Sequence, residues 1–273
     1  MVQVAVARGQ RSLEIVRKAL NAFDIQKGLA GKPVLIKVNF ITTKTWETGA
    51  TTDPIIVEAL IQEIGKFNDR IYVVESDATV TRAERAAEVT GMLELCHRYG
   101  VPFINLSKLK EKVTVKIPEH ETLDKITVPR LVLESYIVSA AKMKTHGDTT
   151  VTLGLKNMFG MLPDRFKGKY HIKDIGKVIV DINTVIKPSL VIIDGFVAME
   201  GYGPVSGDPV KMDLVLAGED VVATDATAAR VMGFDPKRIF HIRRSYEKGL
   251  GEIDQIQVVG ERLEDVKRIF KPP

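Results

Sequence analysis

Short apolar runs rich in Val and Ile alternate along the chain with segments whose apolar residues recur every three to four positions, the rhythm of strands interleaved with amphipathic helices. Strands are expected over Val2–Ala7, Val34–Phe40, Ile71–Glu75, Pro102–Leu106, Tyr136–Lys142, Leu190–Asp194, Leu214–Ala217 and Gln255–Val259. Helices are expected over Ser12–Phe23, Pro54–Phe67, Arg82–Thr90, Ile175–Ile186, Val221–Met232, Pro236–Lys248 and Leu263–Ile269. This alternation predicts an α/β fold, a mostly parallel sheet flanked by helices. The helix beginning at Pro54 has the clearest start: Asp53 can accept from the free first-turn amides, and Pro54 has no amide to satisfy.

The stretch from Lys108 to Pro129 breaks the rhythm. Val113–Ile117 alternates apolar and polar residues as a half-exposed strand does, and Pro118-Glu119-His120 has turn chemistry. The chain therefore divides into an N-terminal α/β region (1–110), a hairpin or insertion (111–130) and a C-terminal α/β region (131–273), as two subdomains or one composite domain.

With 273 residues and 45% hydrophobic content, the chain can bury its core without metal or disulfide staples. Its one cysteine, Cys96, cannot form an internal disulfide or supply a four-cysteine cluster, and this usage suits a reducing, cytoplasmic setting. The first residues, Met1–Arg8, alternate like a strand rather than presenting the charged start and apolar stretch of a signal peptide. No apolar run approaches the ~18 residues of a membrane span, so no membrane partner is expected.

The 39 Lys+Arg and 35 Asp+Glu give a formal charge of +4, but its distribution is uneven. From Lys142 to Lys187 nine Lys/Arg face four Asp, and this segment also carries His146 and His171. A confined basic segment on an otherwise near-neutral chain suggests an anion site rather than a diffuse nucleic-acid surface.

The densest chemistry is Lys142-Met143-Lys144-Thr145-His146-Gly147-Asp148, at the end of an expected strand. Alternation would put Lys142, Lys144 and His146 on one face, where adjacent ammonium groups call for an anion or a carboxylate between them. A solvated basic edge strand is the competing explanation. Asp148 or Thr149 can cap a short following helix that would carry Lys156 and Asn157 beside the strand end, where free amides bind anions, unless the Thr-rich stretch is extended and forms no helix, since Thr and Gly are weak helix formers. His171 can serve as an acid, a base or a metal ligand, or as an ordinary hydrogen-bonded residue. Asp194 closes an apolar strand, where it can face a ligand crevice or start a turn before Gly195. Glu200 opens the glycine-rich loop to Gly207, which permits close backbone approach to a ligand. Asp225 lies on an otherwise apolar helical face and needs a partner, which one of the lysines can supply, unless it serves the helix dipole. Lys37 and Asn39 share a face near the end of their strand and can join the same crevice or merely flank an edge.

Taken together, these motifs resemble the family known as domain of unknown function 362. The resemblance rests on Ile36-Lys37-Val38-Asn39, Thr51-Thr52-Asp53-Pro54, the Lys142–His146 motif, Leu155-Lys156-Asn157, His171, Ile193-Asp194-Gly195, Glu200-Gly201-Tyr202-Gly203-Pro204 and Thr224-Asp225, and covers most of the chain. Some relatives carry a ferredoxin-like segment and are described as iron–sulfur proteins; the single cysteine here argues against a cluster. The family name implies no reaction and no cofactor.

Three functional expectations follow. The preferred one is an enzyme acting on a small carboxylate or phosphate, with His146, His171 and Lys144 as catalytic candidates. Lys37, Asn39, Lys142, Lys156, Asn157, Asp194, Glu200 and Asp225 would bind the substrate. The second is a metal site of His146, His171 and carboxylates such as Asp194, Glu200 or Asp225, disfavoured by lysines that repel a cation. The third, a weak non-specific nucleic-acid-binding module, ranks last because 6% aromatic content offers few stacking platforms. A homo-oligomer is compatible with any of them.

Overall fold

The first strand shows how the hydrophobic pattern is used. In the computed structural model, which describes residues 1–29 and 31–273, strand β1 (Val2–Arg8) buries Val4 and Val6 in one apolar cluster and Ala5 and Ala7 in another. A period of two puts successive side chains on opposite faces, so the strand must have a core on each side. The remaining strands are β2 (Val34–Lys37), β3 (Ile71–Glu75), β4 (Phe103–Asn105), β5 (Lys112–Lys116), β6 (Lys125–Pro129), β7 (Tyr136–His146), β8 (Thr150–Thr152), β9 (Leu190–Glu200), β10 (Asp208–Gly218) and β11 (Ile256–Gly260).

Nine of them form one mixed, mostly parallel sheet in the order β11-β1-β10-β9-β7-β2-β3-β4, with β8 pairing antiparallel to β7 outside that path. Strand β10 is antiparallel to both β1 and β9; the other pairs along the path are parallel. Helices Leu13–Leu20, Pro54–Ile64, Ala83–Val89 and Met92–Tyr99 supply Leu20, Leu60, Ala87 and Leu95 to one core. Helices Ile175–Val185, Val221–Val231 and Phe240–Glu247 supply Ile179, Val222 and Ile242 to the other. The chain is an α/β protein with helices on both faces of its sheet.

Asp53 caps the Pro54 helix as its sequence suggests, accepting from the Ile55 amide at 3.0 Å. The stretch expected as Arg82–Thr90 is followed by a second helix, Met92–Tyr99, which restarts after Gly91 turns the chain with φ +77°. That positive φ is costly for any side chain with a Cβ and cheap for glycine. Three strands run four or more residues past their expected ends: β7 continues to His146, β9 to Glu200, and β10 begins at Asp208. Gly195 lies inside β9 rather than at a turn, because the Leu214 carbonyl of β10 sits 2.9 Å from where its Cβ would be. In the opposite sense, β2 stops at Lys37, before Phe40.

Strands β5 and β6 form a separate two-stranded antiparallel sheet, with Thr114 opposite Thr127. Asp181 on the Ile175–Val185 helix ties this hairpin down by accepting from the amides of Glu121, Thr122 and Leu123 at 2.6, 2.8 and 2.7 Å. The strands before the hairpin, β1 to β4, and after it, β7 to β11, share the large sheet.

The topology also fixes where a ligand can enter. From β2 the chain steps outward to β3 and β4 through helices on one face, then returns to β7 on the opposite side of β2. At such a reversal the connections after neighbouring strands diverge and leave a crevice at their carboxyl ends.

Candidate functional site

A cleft of about 380 Å³ opens at the carboxyl ends of β2, β3 and β7. Seven of the sequence-derived candidates line it: Lys37, Asn39, Lys144, His146, Lys156, Asn157 and His171. Lys142, Asp194, Glu200 and Asp225 do not. Glu75, Ser76, Asp148 and Lys167 line it as well, and none of these four was singled out as a binding or catalytic candidate.

Lys37, the last residue of β2, is buried and lies 2.8 Å from Glu75 Oε1 at the end of neighbouring β3. Its ammonium also donates to Asn157 Oδ1 at 3.2 Å and to the Val38 carbonyl. Glu75 is held in turn by the Phe40 and Ser76 amides, each donating at 2.9 Å. Burial pushes the Lys37 pKa below its ordinary value and Glu75 opposes the shift. This charge is thus compensated within the wall. Gly160 is required here, because a Cβ at that position would lie 2.7 Å from Glu75 Oε1 and overlap the Lys37 ammonium.

The other three cleft lysines have no carboxylate partner within ion-pair distance among the described residues. Lys144 Nζ donates to the Ala50 carbonyl at 2.6 Å, and Lys167 Nζ to Ser76 Oγ at 2.6 Å. Lys156 and Lys167 both approach the ring of Phe159, at 5.8 and 5.4 Å from its centroid. Burial lowers Lys156 and Lys167 to about 8. Lys144 falls well below its ordinary value, first through burial and then through the charges of Lys156 and Lys142. Asn39 Oδ1 and Thr152 Oγ1 in the same wall are buried without a hydrogen-bond partner among the described residues.

The two histidines meet through Asp148. The Asp148 amide donates to His146 Nδ1 at 3.1 Å, while its carboxylate oxygen Oδ2 lies 3.0 Å from His171 Nδ1. Burial, followed by Lys156 and Lys144, lowers the His146 pKa to about 2, so that ring is neutral. With Nδ1 accepting, its proton is on Nε2. His171 is exposed at the rim, with Nδ1 held by the carboxylate and Nε2 left for a ligand or water.

The four candidates outside the cleft have structural partners. Lys142 is fully buried and pairs with Asp194 at 2.8 Å, so it does not share the cleft with Lys144 and His146 as strict alternation would have it. The register of β7 against β9 shifts between Lys142 and Lys144, which breaks the simple alternation. Asp194 lies mid-strand and also accepts from the Asp53 amide at 2.8 Å. Glu200 accepts from the Lys271 amide at 3.1 Å and lies 3.5 Å from Arg268, which makes it an anchor for the C-terminal tail. Asp225 takes no lysine partner among the described residues. It accepts from the Gly154 and Leu155 amides at 2.7 and 2.8 Å, at the start of the short helix Gly154–Asn157 that carries Lys156. That helix is therefore capped from another element, not by Asp148 or Thr149.

These placements separate the carboxylates of the metal reading from the histidines. Among the described residues no three His, Cys, Asp or Glu side chains cluster closely enough to hold a metal ion. Within the basic segment Lys142, Lys144 and Lys167 are buried, whereas Arg165, Lys169, Lys173 and Lys187 are exposed outside the cleft.

Two of the unforeseen cleft residues had a legible signal. Glu75 ends β3 as Lys37 ends β2, and the same carboxyl-end reasoning applies to both. Lys167 belongs to the basic segment already noted, but its distance in sequence from the Lys142–His146 motif hides their meeting.

Comparison with known proteins gives two findings. The family model described as domain of unknown function (DUF362) matches residues 34–230, a span that includes every cleft-lining residue. A thylakoid-associated protein of Synechocystis sp. is 30% identical over 215 residues, covering 77% of this chain and 65% of that protein. The matched region thus spans less than two thirds of the relative's length. No described helix is long and apolar enough to cross a membrane.

Proposed function

The chain belongs to the DUF362 family, a membership that prescribes no reaction, and from the cleft itself we propose that the protein is an enzyme acting on a small anionic substrate, a carboxylate or a phosphate. One observation carries this reading: Lys144, Lys156 and Lys167 line a single cleft without a carboxylate partner among the described residues. Several cations held together out of water are costly unless an anion joins them. In the proposed division of roles, Lys156 and Lys167, beside the Phe159 ring, bind the anion while Lys37, tied to Glu75, orients Asn157. His171, oriented by Asp148, is the proton acceptor, and neutral His146 offers its Nε2–H as a donor. A cytoplasmic setting belongs to the same reading, supported by the buried, unpaired Cys96.

Calorimetric titration with inorganic phosphate, acetate and pyruvate tests the anion site. Binding of at least one of these is expected, weakened roughly ten-fold or more in K156M, because a charge-assisted hydrogen bond contributes about 1.5–3 kcal/mol. Absence of binding by all three, or unchanged affinity in both K156M and K167M, would overturn the reading.

A further inference from the structure

We propose that Lys144 is a nucleophile that forms an imine with a small 2-oxo acid held in the cleft, an inference that rests on the anion-site reading above. Of the buried lysines around the cleft, Lys37 and Lys142 are each committed to a carboxylate, at 2.8 Å in both cases. Lys144 is only 1% exposed, yet among the described residues its sole hydrogen-bond acceptor is the Ala50 carbonyl. It is also flanked by like charges, Lys142 two residues earlier on β7 and Lys156 across the cleft. An ammonium so placed loses a proton readily, and the resulting amine carries the lone pair that carbonyl addition needs. Lys156 and Lys167, both beside the Phe159 ring, remain as cations for a carboxylate.

The substrate class follows from combining the two roles. Imine formation needs a ketone or aldehyde carbon, and the remaining lysines need an anion close to it; a 2-oxo acid places the two on adjacent carbons. In the step, the Lys144 nitrogen bonds to C2 as the carbonyl π bond opens. A proton passes from nitrogen to the former carbonyl oxygen, giving a carbinolamine. Loss of that hydroxyl as water, with the second nitrogen proton leaving, forms C2=N. One water is released and no oxidant or reductant is consumed. The nitrogen proton passes to His171, held by Asp148, and from that imidazolium to the departing hydroxyl, while neutral His146, two residues along the same strand, donates an Nε2–H hydrogen bond to the same oxygen.

The test is reductive trapping on the intact protein: incubation with pyruvate, and separately with 2-oxoglutarate, in the presence of sodium cyanoborohydride, followed by peptide mapping by mass spectrometry. The reduced adduct is expected on Lys144, ahead of every exposed lysine, and is expected to be lost in K144M. The map of the unmodified sequence is decisive even if that variant folds poorly. Labelling confined to exposed lysines or the N-terminal amine, with calorimetric binding of the 2-oxo acids intact, overturns the imine and leaves the anion site standing. Failure of phosphate, acetate and both 2-oxo acids to bind overturns the two together.

Discussion

Lysine side chains separated by as little as two positions in this sequence have different fates, and burial with partner geometry decides between them. Lys142 neutralises Asp194 and stays inside the sheet, whereas Lys144 enters the cleft and donates to a backbone carbonyl. Lys156 and Lys167, lowered to about 8 mainly by burial, set a pH limit on anion binding. Below that value both are ammonium groups and attract an anion; as pH rises through it they lose charge. Affinity for acetate or pyruvate, whose charge is constant over this interval, is therefore expected to fall steeply between about pH 7 and 9 when measured by calorimetry, where a site of exposed lysines would hold its charge to about 10. A flat profile over that interval would contradict the lowered pKa of these two lysines. The residue types of the site were visible in the sequence at Lys144, His146, Lys156 and His171. Their partners were not: Asp148 bridges the two histidines, and Glu75 reaches Lys37 from a strand some forty residues away.

At the level of elements, the short helix Gly154–Asn157 delivers Lys156 and Asn157 to the cleft, and it is too short to hold itself there. Asp225, from the Val221–Val231 helix, binds its first two amides, and a Cβ at Gly154 would lie 2.8 Å from the same carboxylate. D225A leaves two buried amides unpaired, at about 1–3 kcal/mol each. It is expected to lower the unfolding midpoint in urea and to weaken phosphate binding, although Asp225 lines no part of the cleft. Loss of stability with unchanged binding would show that the helix holds its position without this cap. The sequence marked Asp225 as a carboxylate in need of a partner, but a backbone amide leaves no trace in residue identity. For the same reason β9 was expected to end at Asp194: Gly195 has the chemistry of a turn, and only the closeness of β10 explains a glycine inside a strand.

Across the whole molecule, the β7–β9 pairing joins the mostly parallel half of the sheet to the half containing antiparallel β10, and the Lys142–Asp194 pair lies on that seam. Asp194 also receives the Asp53 amide, and Arg11 grips the Asp53 carboxylate through two bonds of 2.6 and 2.8 Å. A buried pair stripped of one member is costly because the other charge stays behind, typically about 3–5 kcal/mol. K142M is expected to destabilise the fold by that order in urea unfolding, and K142M/D194N to recover more than half of the loss; equal damage in both variants would mean that packing rather than charge dominates the seam. The α/β class, its parallel strands and most helix positions were determined by the sequence alone, because periods of two and of about three and a half are local and survive without any tertiary information. So was the presence of a basic, histidine-bearing segment. Which of its cations would be neutralised in the core and which would remain around a cleft was decided only by tertiary structure. That outcome depends on a register shift in β7, on carboxylates far away in sequence and on the crossing of the chain at β2, and none of these is written in the spacing of the lysines themselves.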